Sequence, residues 1–317
     1  CTLTDGTDCF GGSCGRPRPI PMGLRGIGAG VKVKPKVSSA RDGSARPPHE
    51  SDPLSRHNGQ FRTNNMAKNY HQDGKWWVSP YNYIDEVREK LALPPSVQIH
   101  DATLRDGEQT PGVVFTKDDK IAIASKLNEI GVERIEAGMP AVSQPDAEAI
   151  RDISSLGLSS KIFTFARAMR QDIDMALECG ADGVVIEVPI GYPKLVTQFG
   201  WTWEDVFKKS KDVINYAREN GLYAVFFPYD TTRARAEDLE NLCRAVMNES
   251  PPDSIGIVDT MGCATPEAIK YMVRWVKEMT GLPIEIHTHN DFGMGVATEL
   301  AAVTVGAEVV HSCANGL

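Results

Sequence analysis

The sequence predicts an α/β chain, a parallel (β/α)8 barrel, on three observations. Short β-branched runs recur eight times over residues 97–317 and end in polar residues. Seven stretches with apolar residues at helical spacing separate them, and glycines such as Gly131, Gly180, Gly221, Gly281 and Gly306 stand where a helix C-cap belongs. The first run is followed by Arg105-Asp106-Gly107-Glu108, whereas an open doubly wound sheet usually carries a Gly-rich turn there. A closed barrel, of typical size roughly 250 residues, accounts for all three.

The body begins after a different kind of text. Residues 1–65 are rich in Gly, Pro, Arg and Ser and show no sustained period, so they are expected to be a disordered or non-native N-terminal extension, with Met66 as the natural start. Residues 66–96 hold Trp76, Trp77, Tyr81 and Tyr83 and a short helix over Ile84–Leu91, and are expected to pack on the body as a lid segment. The catalytic domain is expected over 97–317. Its strands are predicted at Val97–Asp101, Val132–Glu136, Lys161–Phe165, Gly183–Val188, Leu222–Phe227, Ser254–Asp259, Ile284–His289 and Glu308–Ser312. Helices are predicted at Lys117–Ile130, Ala147–Ser155, Met169–Cys179, Trp203–Asn220, Ala236–Glu249, Pro266–Thr280 and Gly295–Gly306. The eighth run leads into Asn315-Gly316-Leu317, so the barrel is expected to be truncated after strand 8, short of its last helix and loop.

Composition narrows the function. Apolar residues make up 41% and charged residues 24%, enough for a full core. Residues 1–66 carry ten Lys/Arg against five Asp/Glu, whereas 67–317 carry 24 against 37, so the body is acidic and no nucleic-acid partner is expected. No apolar run approaches the roughly 20 residues that span a bilayer, and no signal-peptide pattern is present, so no membrane association is expected. Seven scattered cysteines without a CxxC pair read as free thiols of a cytoplasmic protein.

The chemistry concentrates in two stretches. Ile99–Gly112 sets Arg105 and Asp106 side by side where a strand runs out; Ile286–Gly293 sets His287 and His289 at i and i+2, on one side of another strand. One carboxylate and two imidazoles at the barrel mouth suit a divalent metal cation (Zn, Mn, Mg or Fe), with Asn290 and Asp291 as partners for the ring N–H groups. Arg105 beside such an ion would stabilise an oxyanion or enolate. Glu136 ends strand two and is either an acid/base or substrate contact or a structural ion-pair partner; Thr260 and Gln109 face the same mouth as substrate contacts. His311 and Cys313 share a face of strand eight, Cys313 reading first as a small core residue and second as a catalytic thiol.

Leu104-Arg105-Asp106-Gly107-x-Gln109, followed by Lys120, and His287-x-His289-Asn290-Asp291-x-Gly293-x-Gly295 resemble the two signatures of the DRE-TIM metallolyases, a TIM-barrel (pyruvate carboxyltransferase-type) superfamily. The resemblance covers about residues 97–317 and is to the 2-isopropylmalate synthase and homocitrate synthase branch. It implies that Asp106, His287 and His289 bind the metal, that Arg105 stabilises the keto or enolate oxygen, and that acetyl-CoA condenses with a 2-oxo acid in amino-acid biosynthesis. A homodimer is implied as well. Arg167, retained after strand three, is carried over as a substrate contact, although Phe165 replaces the His of homocitrate synthases. Phe227-Pro228-Tyr229-Asp230 replaces the Ser-x-Glu-Asp-like run that synthases often place after strand five, which leaves the 2-oxo acid open. Lyase chemistry of the hydroxymethylglutaryl-CoA type would use the same metal and arginine, but such lyases carry a Gly-Gly-Cys loop after strand eight, where Asn315-Gly316 stands here. A non-catalytic metal-binding paralogue or a biotin-enzyme carboxyltransferase half would also share the barrel.

Overall fold

The computed structural model describes residues 70–316; the expectations for 1–65 and for Met66 fall outside them. Eight parallel strands close into a barrel: β1 Gln98–Asp101, β2 Arg134–Glu136, β3 Lys161–Arg167, β4 Gly183–Pro189, β5 Tyr223–Tyr229, β6 Ser254–Asp259, β7 Ile284–Thr288 and β8 Val309–Ser312. Each pairs with its sequence neighbour, and β8 returns to β1 with His311 beside His100. The helices between them are α1 Lys117–Glu129, α2 Gln144–Ser155, α3 Arg170–Glu178, α4 Trp203–Glu219, α5 Ala236–Glu249, α6 Pro266–Thr280 and α7 Gly295–Val303.

Local chemistry sets the boundaries. Thr116 and Asp119 form a reciprocal capping box that starts α1. Ser143 caps α2 with a proline in its first turn, which starts that helix three residues earlier than apolar spacing alone suggests. Gly281 ends α6 at φ 68°, a left-handed conformation that costs glycine little. Strands β3, β4 and β5 run past their predicted ends because their neighbours keep pairing, Arg167 with Glu187 and Pro189 with Tyr229.

Two kinds of core result. Outside the barrel wall, residues such as Ile186, Ile214, Phe226, Leu242, Ile257 and Ile269 fill the space between strands and helices. Inside it, Phe163, Phe165, Val185, Val225, Phe227 and Val258 fill the half lined by β3 to β6. The other half, lined by β1, β2, β7 and β8, is polar: His100, Arg134, Glu136, Glu285, His287 and His311 are all buried there. Buried charge is stable only when paired, and these groups are paired with one another.

Residues 70–96 bear a two-residue hairpin, His71–Gln72 with Trp76–Trp77, and a short helix, Asp85–Arg88. After this helix the Ala92 N–H donates to the Thr304 carbonyl, just past the end of α7. The chain there packs against the end of the barrel where strands begin. Among the described residues no helix is long and apolar enough to cross a membrane.

Candidate functional site

The site lies at the strand C-termini, where barrel enzymes carry their chemistry. Strand β1 ends at Asp101 and the chain turns sharply, with the N–H groups of Arg105, Asp106 and Gly107 all directed at the Ala102 carbonyl. This turn aims the Asp106 side chain inward. Strand β7 delivers His287 from within and His289 just past its end, where the His289 N–H donates to the Asp259 carbonyl.

The three side chains meet. Asp106 Oδ2 lies 3.3 Å from His287 Nε2 and 3.7 Å from His289 Nε2, and the two imidazole nitrogens are 3.4 Å apart. One oxygen and two nitrogens at these separations form a group able to hold a metal ion. Burial disfavours the charged form of both histidines and lowers their pKa values, with Asp106 opposing the shift in part. They stand as neutral imidazoles, the form that ligates metals. Burial alone would raise the Asp106 carboxyl, but the His287 contact and the Arg105 charge outweigh it and hold it well below the usual range.

Arg105 stands over this group. Its Nε donates to Glu136 Oε1 at 2.5 Å and its Nη1 to Asp106 Oδ1 at 2.8 Å, while the guanidinium carbon sits 4.0 Å from the centre of the Phe165 ring. The Nη2 contact with Glu136 is long, 3.5 Å. Glu136 is fully buried behind the arginine and also meets His100 Nε2 at 3.2 Å. Burial would raise its pKa; Arg105 and His100 outweigh that and hold it at about 2. Of the two readings of Glu136, the geometry matches the ion pair: the carboxylate aligns Arg105, and a fixed anion at this depth is a poor proton carrier.

The remaining predicted residues divide. Gln109 and Thr260 line a mouth cavity of about 670 Å³ together with Arg105 and Asp106. Thr260 Oγ1 also accepts from the Asp230 N–H, which fixes its rotamer. Arg167 does not line that cavity; its Nε and Nη2 bind Asp172 bidentately at 2.9 and 2.8 Å, a local pairing across the start of α3. Asn290 and Asp291 do not support the imidazoles either, since the Asn290 side chain accepts from the Gly295 N–H and Asp291 is exposed. The Cys313 thiol is pushed up by burial, against an activated nucleophile.

A protein-family model described as HMGL-like matches residues 96–317. The chain belongs to the HMGL-like family. Over 235 residues this HMGL-like chain is 40% identical to the homocitrate synthase AksA of Methanopyrus kandleri, covering 74% of this chain and 59% of that protein. It is also 40% identical to a 2-isopropylmalate synthase of Methanocaldococcus jannaschii, over 74% of this chain and 45% of the relative. The chain thus spans about half the length of the curated relatives it matches. A crystal structure of hydroxymethylglutaryl-CoA lyase from Pseudomonas aeruginosa shares the fold, with TM-score 0.60 at 18% identity over 70% of this chain and 77% of that one.

The HMGL-like barrel also brings to the mouth Tyr229, noted in the sequence only as part of the run after strand five, and two residues that sequence reasoning passed over, Glu187 and Lys194. Glu187, Lys194 and Tyr229 line the same cavity as Arg105. Burial pushes the Glu187 carboxyl up, and it pushes Tyr229 up to about 12. The one signal in the sequence was Glu187 itself, a lone acid inside the apolar run Gly183–Val188.

Proposed function

We propose that this chain carries the catalytic barrel of a metal-dependent acyltransferase that condenses acetyl-CoA with a 2-oxo acid. One observation carries the reading: Asp106, His287 and His289 converge to within 3.7 Å under a guanidinium that is itself bound to Asp106. The names of the relatives, a homocitrate synthase and a 2-isopropylmalate synthase, support the direction of the reaction.

Asp106, His287 and His289 would hold a divalent cation, whose Lewis acidity would polarise the keto oxygen of the 2-oxo acid. The work of the chain's own residues follows from their contacts. Arg105 binds Glu136 and Asp106 along two edges, which leaves N–H donors on its Nη atoms toward the cavity for an oxyanion. Glu136 and Phe165 keep that guanidinium from swinging, so little reorganisation is needed when charge develops. Glu187 faces the same space with a raised pKa, and we assign it the proton taken from the acetyl methyl group. Met139, Val142 and Phe227 give the cavity an apolar wall for the side chain of the 2-oxo acid, and Gln109 and Thr260 offer polar contacts.

Assembly as a homodimer in the cytoplasm belongs to the same reading; light scattering on the purified chain tests the dimer. The activity is tested by incubating the protein with acetyl-CoA and a panel of 2-oxo acids while following release of the CoA thiol. Thiol release that depends on both a 2-oxo acid and a divalent metal is expected. Cleavage of hydroxymethylglutaryl-CoA without any condensation would replace the proposal with the lyase reading.

A further inference from the structure

The loops after β4 and β5 meet at the rim of the mouth. The Ile190 N–H donates to the Tyr229 carbonyl, and a Cβ on Gly191 would lie 1.9 Å from Asp230 Oδ2, so a side chain there would displace Asp230. Asp230 is buried and held at φ 61°, a left-handed conformation that is costly for a residue with a Cβ. Arg233 grips its carboxylate with Nε at 2.7 Å and Nη2 at 2.8 Å. Strain of this kind persists only where the surroundings over-determine it, and here it fixes what the two loops present.

They present cations on aromatic rings. The Arg235 guanidinium carbon lies 3.9 Å from the centre of the Tyr192 ring, and Lys194 Nζ lies 5.8 Å from that of Tyr229. Among the described residues neither cation forms a salt bridge, whereas Arg105, Lys120, Arg134, Arg167 and Arg233 all do. Glu187 feels the Lys194 charge without touching it. In a body with 24 Lys/Arg against 37 Asp/Glu over 67–317, cations left without carboxylates on adjacent loops are free to take an anion from outside.

The two cations stand at different depths. Lys194 lines the mouth cavity with Arg105 and Asp106, whereas Arg235 and Tyr192 stand outside it, Arg235 exposed and Tyr192 37% exposed. Glu187, assigned above the proton of the acetyl methyl group, lies on β4, the strand whose loop carries Tyr192 and Lys194. A thioester placed at Glu187 can leave the cavity past Lys194 toward Arg235.

We propose that Lys194, Tyr192 and Arg235 form the site for the phosphorylated nucleotide end of the acyl-CoA. Lys194 meets the pyrophosphate, the planar Arg235 guanidinium meets the 3′-phosphate, and the open surface of Tyr192 stacks with the adenine ring. The proposal rests on the acetyl-CoA reading given above. A second carboxylate on the 2-oxo acid is the other anion that Lys194 could meet, but Arg235 and Tyr192, outside the cavity, match the nucleotide.

Calorimetry on the purified chain with adenosine 3′,5′-bisphosphate, the nucleotide of CoA without its pantetheine arm, reads the site apart from any turnover. Wild type is expected to bind it, with affinity lowered roughly tenfold or more in Arg235→Glu and Lys194→Glu and about fivefold in Tyr192→Ala, while urea midpoints stay at the wild-type value. Arg235→Lys should fall between wild type and Arg235→Glu, since it keeps the charge and loses the planar fork. No binding by wild type, equal affinity for inorganic phosphate, or undiminished binding in Arg235→Glu overturns the site. In the condensation assay the KM for acetyl-CoA should rise roughly tenfold in Arg235→Glu, with kcat and the KM for the 2-oxo acid within about twofold of wild type. Condensation with an unchanged KM for acetyl-CoA in that variant overturns the site and keeps the reaction. Bisphosphate binding that the variants lose, in a chain that condenses nothing, supports the site and overturns the reaction.

Discussion

Arg105 and Glu136 form a buried ion pair, Nε to Oε1 at 2.5 Å, and through it the second strand of the barrel sets the position of the cation over the candidate metal group. Exposed pairs contribute little, but a buried pair with one partner removed leaves an unpaired charge. Glu136→Gln is expected to lower kcat by about 10²-fold, on the order of one oxyanion donor misplaced, with metal affinity within a few-fold of wild type. Arg105→Lys is expected to do the same, since an ammonium cannot bridge Glu136 and Asp106 as a planar fork does. Steady-state kinetics beside a metal titration checks both; full activity in either variant removes the pair from the mechanism.

Glycine at 262 is required by close approach. Its φ is 56°, and a Cβ there would lie 2.5 Å from the His289 carbonyl oxygen. Gly262→Ala should therefore cost roughly 1–3 kcal/mol of stability and displace His289, weakening metal binding as well. Urea unfolding and metal titration on the same variant check this; wild-type values in both would show that the loop yields freely.

Lys120 lies 2% exposed between two carboxylates, Asp146 at 2.5 Å and Glu108 at 2.7 Å. Both partners are partly open to water, so the loss on Lys120→Met should fall below that of a fully buried pair, at about 2 kcal/mol. Chemical denaturation measures it. A change under half a kilocalorie would mean that water replaces the lysine at little cost.

The outline of this protein was legible because its signals are local. Period-two alternation puts His287 and His289 on one side of β7, and the abrupt end of β1 marks Asp106. Depth was not legible. Arg134 and Glu136 both point into the barrel, and only the closed structure shows Glu136 lying behind Arg105 rather than in the cavity. Arg167 matched a family position, yet the carboxylate of Asp172, in the first turn of α3, takes it bidentately. The contacts of His311 with His287 and Glu285 depend on the register of β7 against β8, which no single strand announces.

Glu285 should leave a mark on acid stability. Burial would raise its pKa, but the His311 bond and the Arg134 charge outweigh that and hold it at about 2, against 4.5 for the free group. A depressed folded value means the stabilisation is present above pH 4.5 and is lost as pH falls toward about 2. Urea midpoints of wild type should fall over that window, and the fall should be shallower in Glu285→Gln. Parallel curves would show that the carboxylate is not held in its charged form.

The central claim is that Asp106, His287 and His289 bind one divalent cation together. Titration of the purified metal-free chain with Zn²⁺ or Mn²⁺, set against Asp106→Ala and His287→Ala, tests it most directly. One equivalent bound by wild type, with affinity reduced at least 100-fold in both variants while the fold persists, is the predicted result. Undiminished binding in either variant would contradict it.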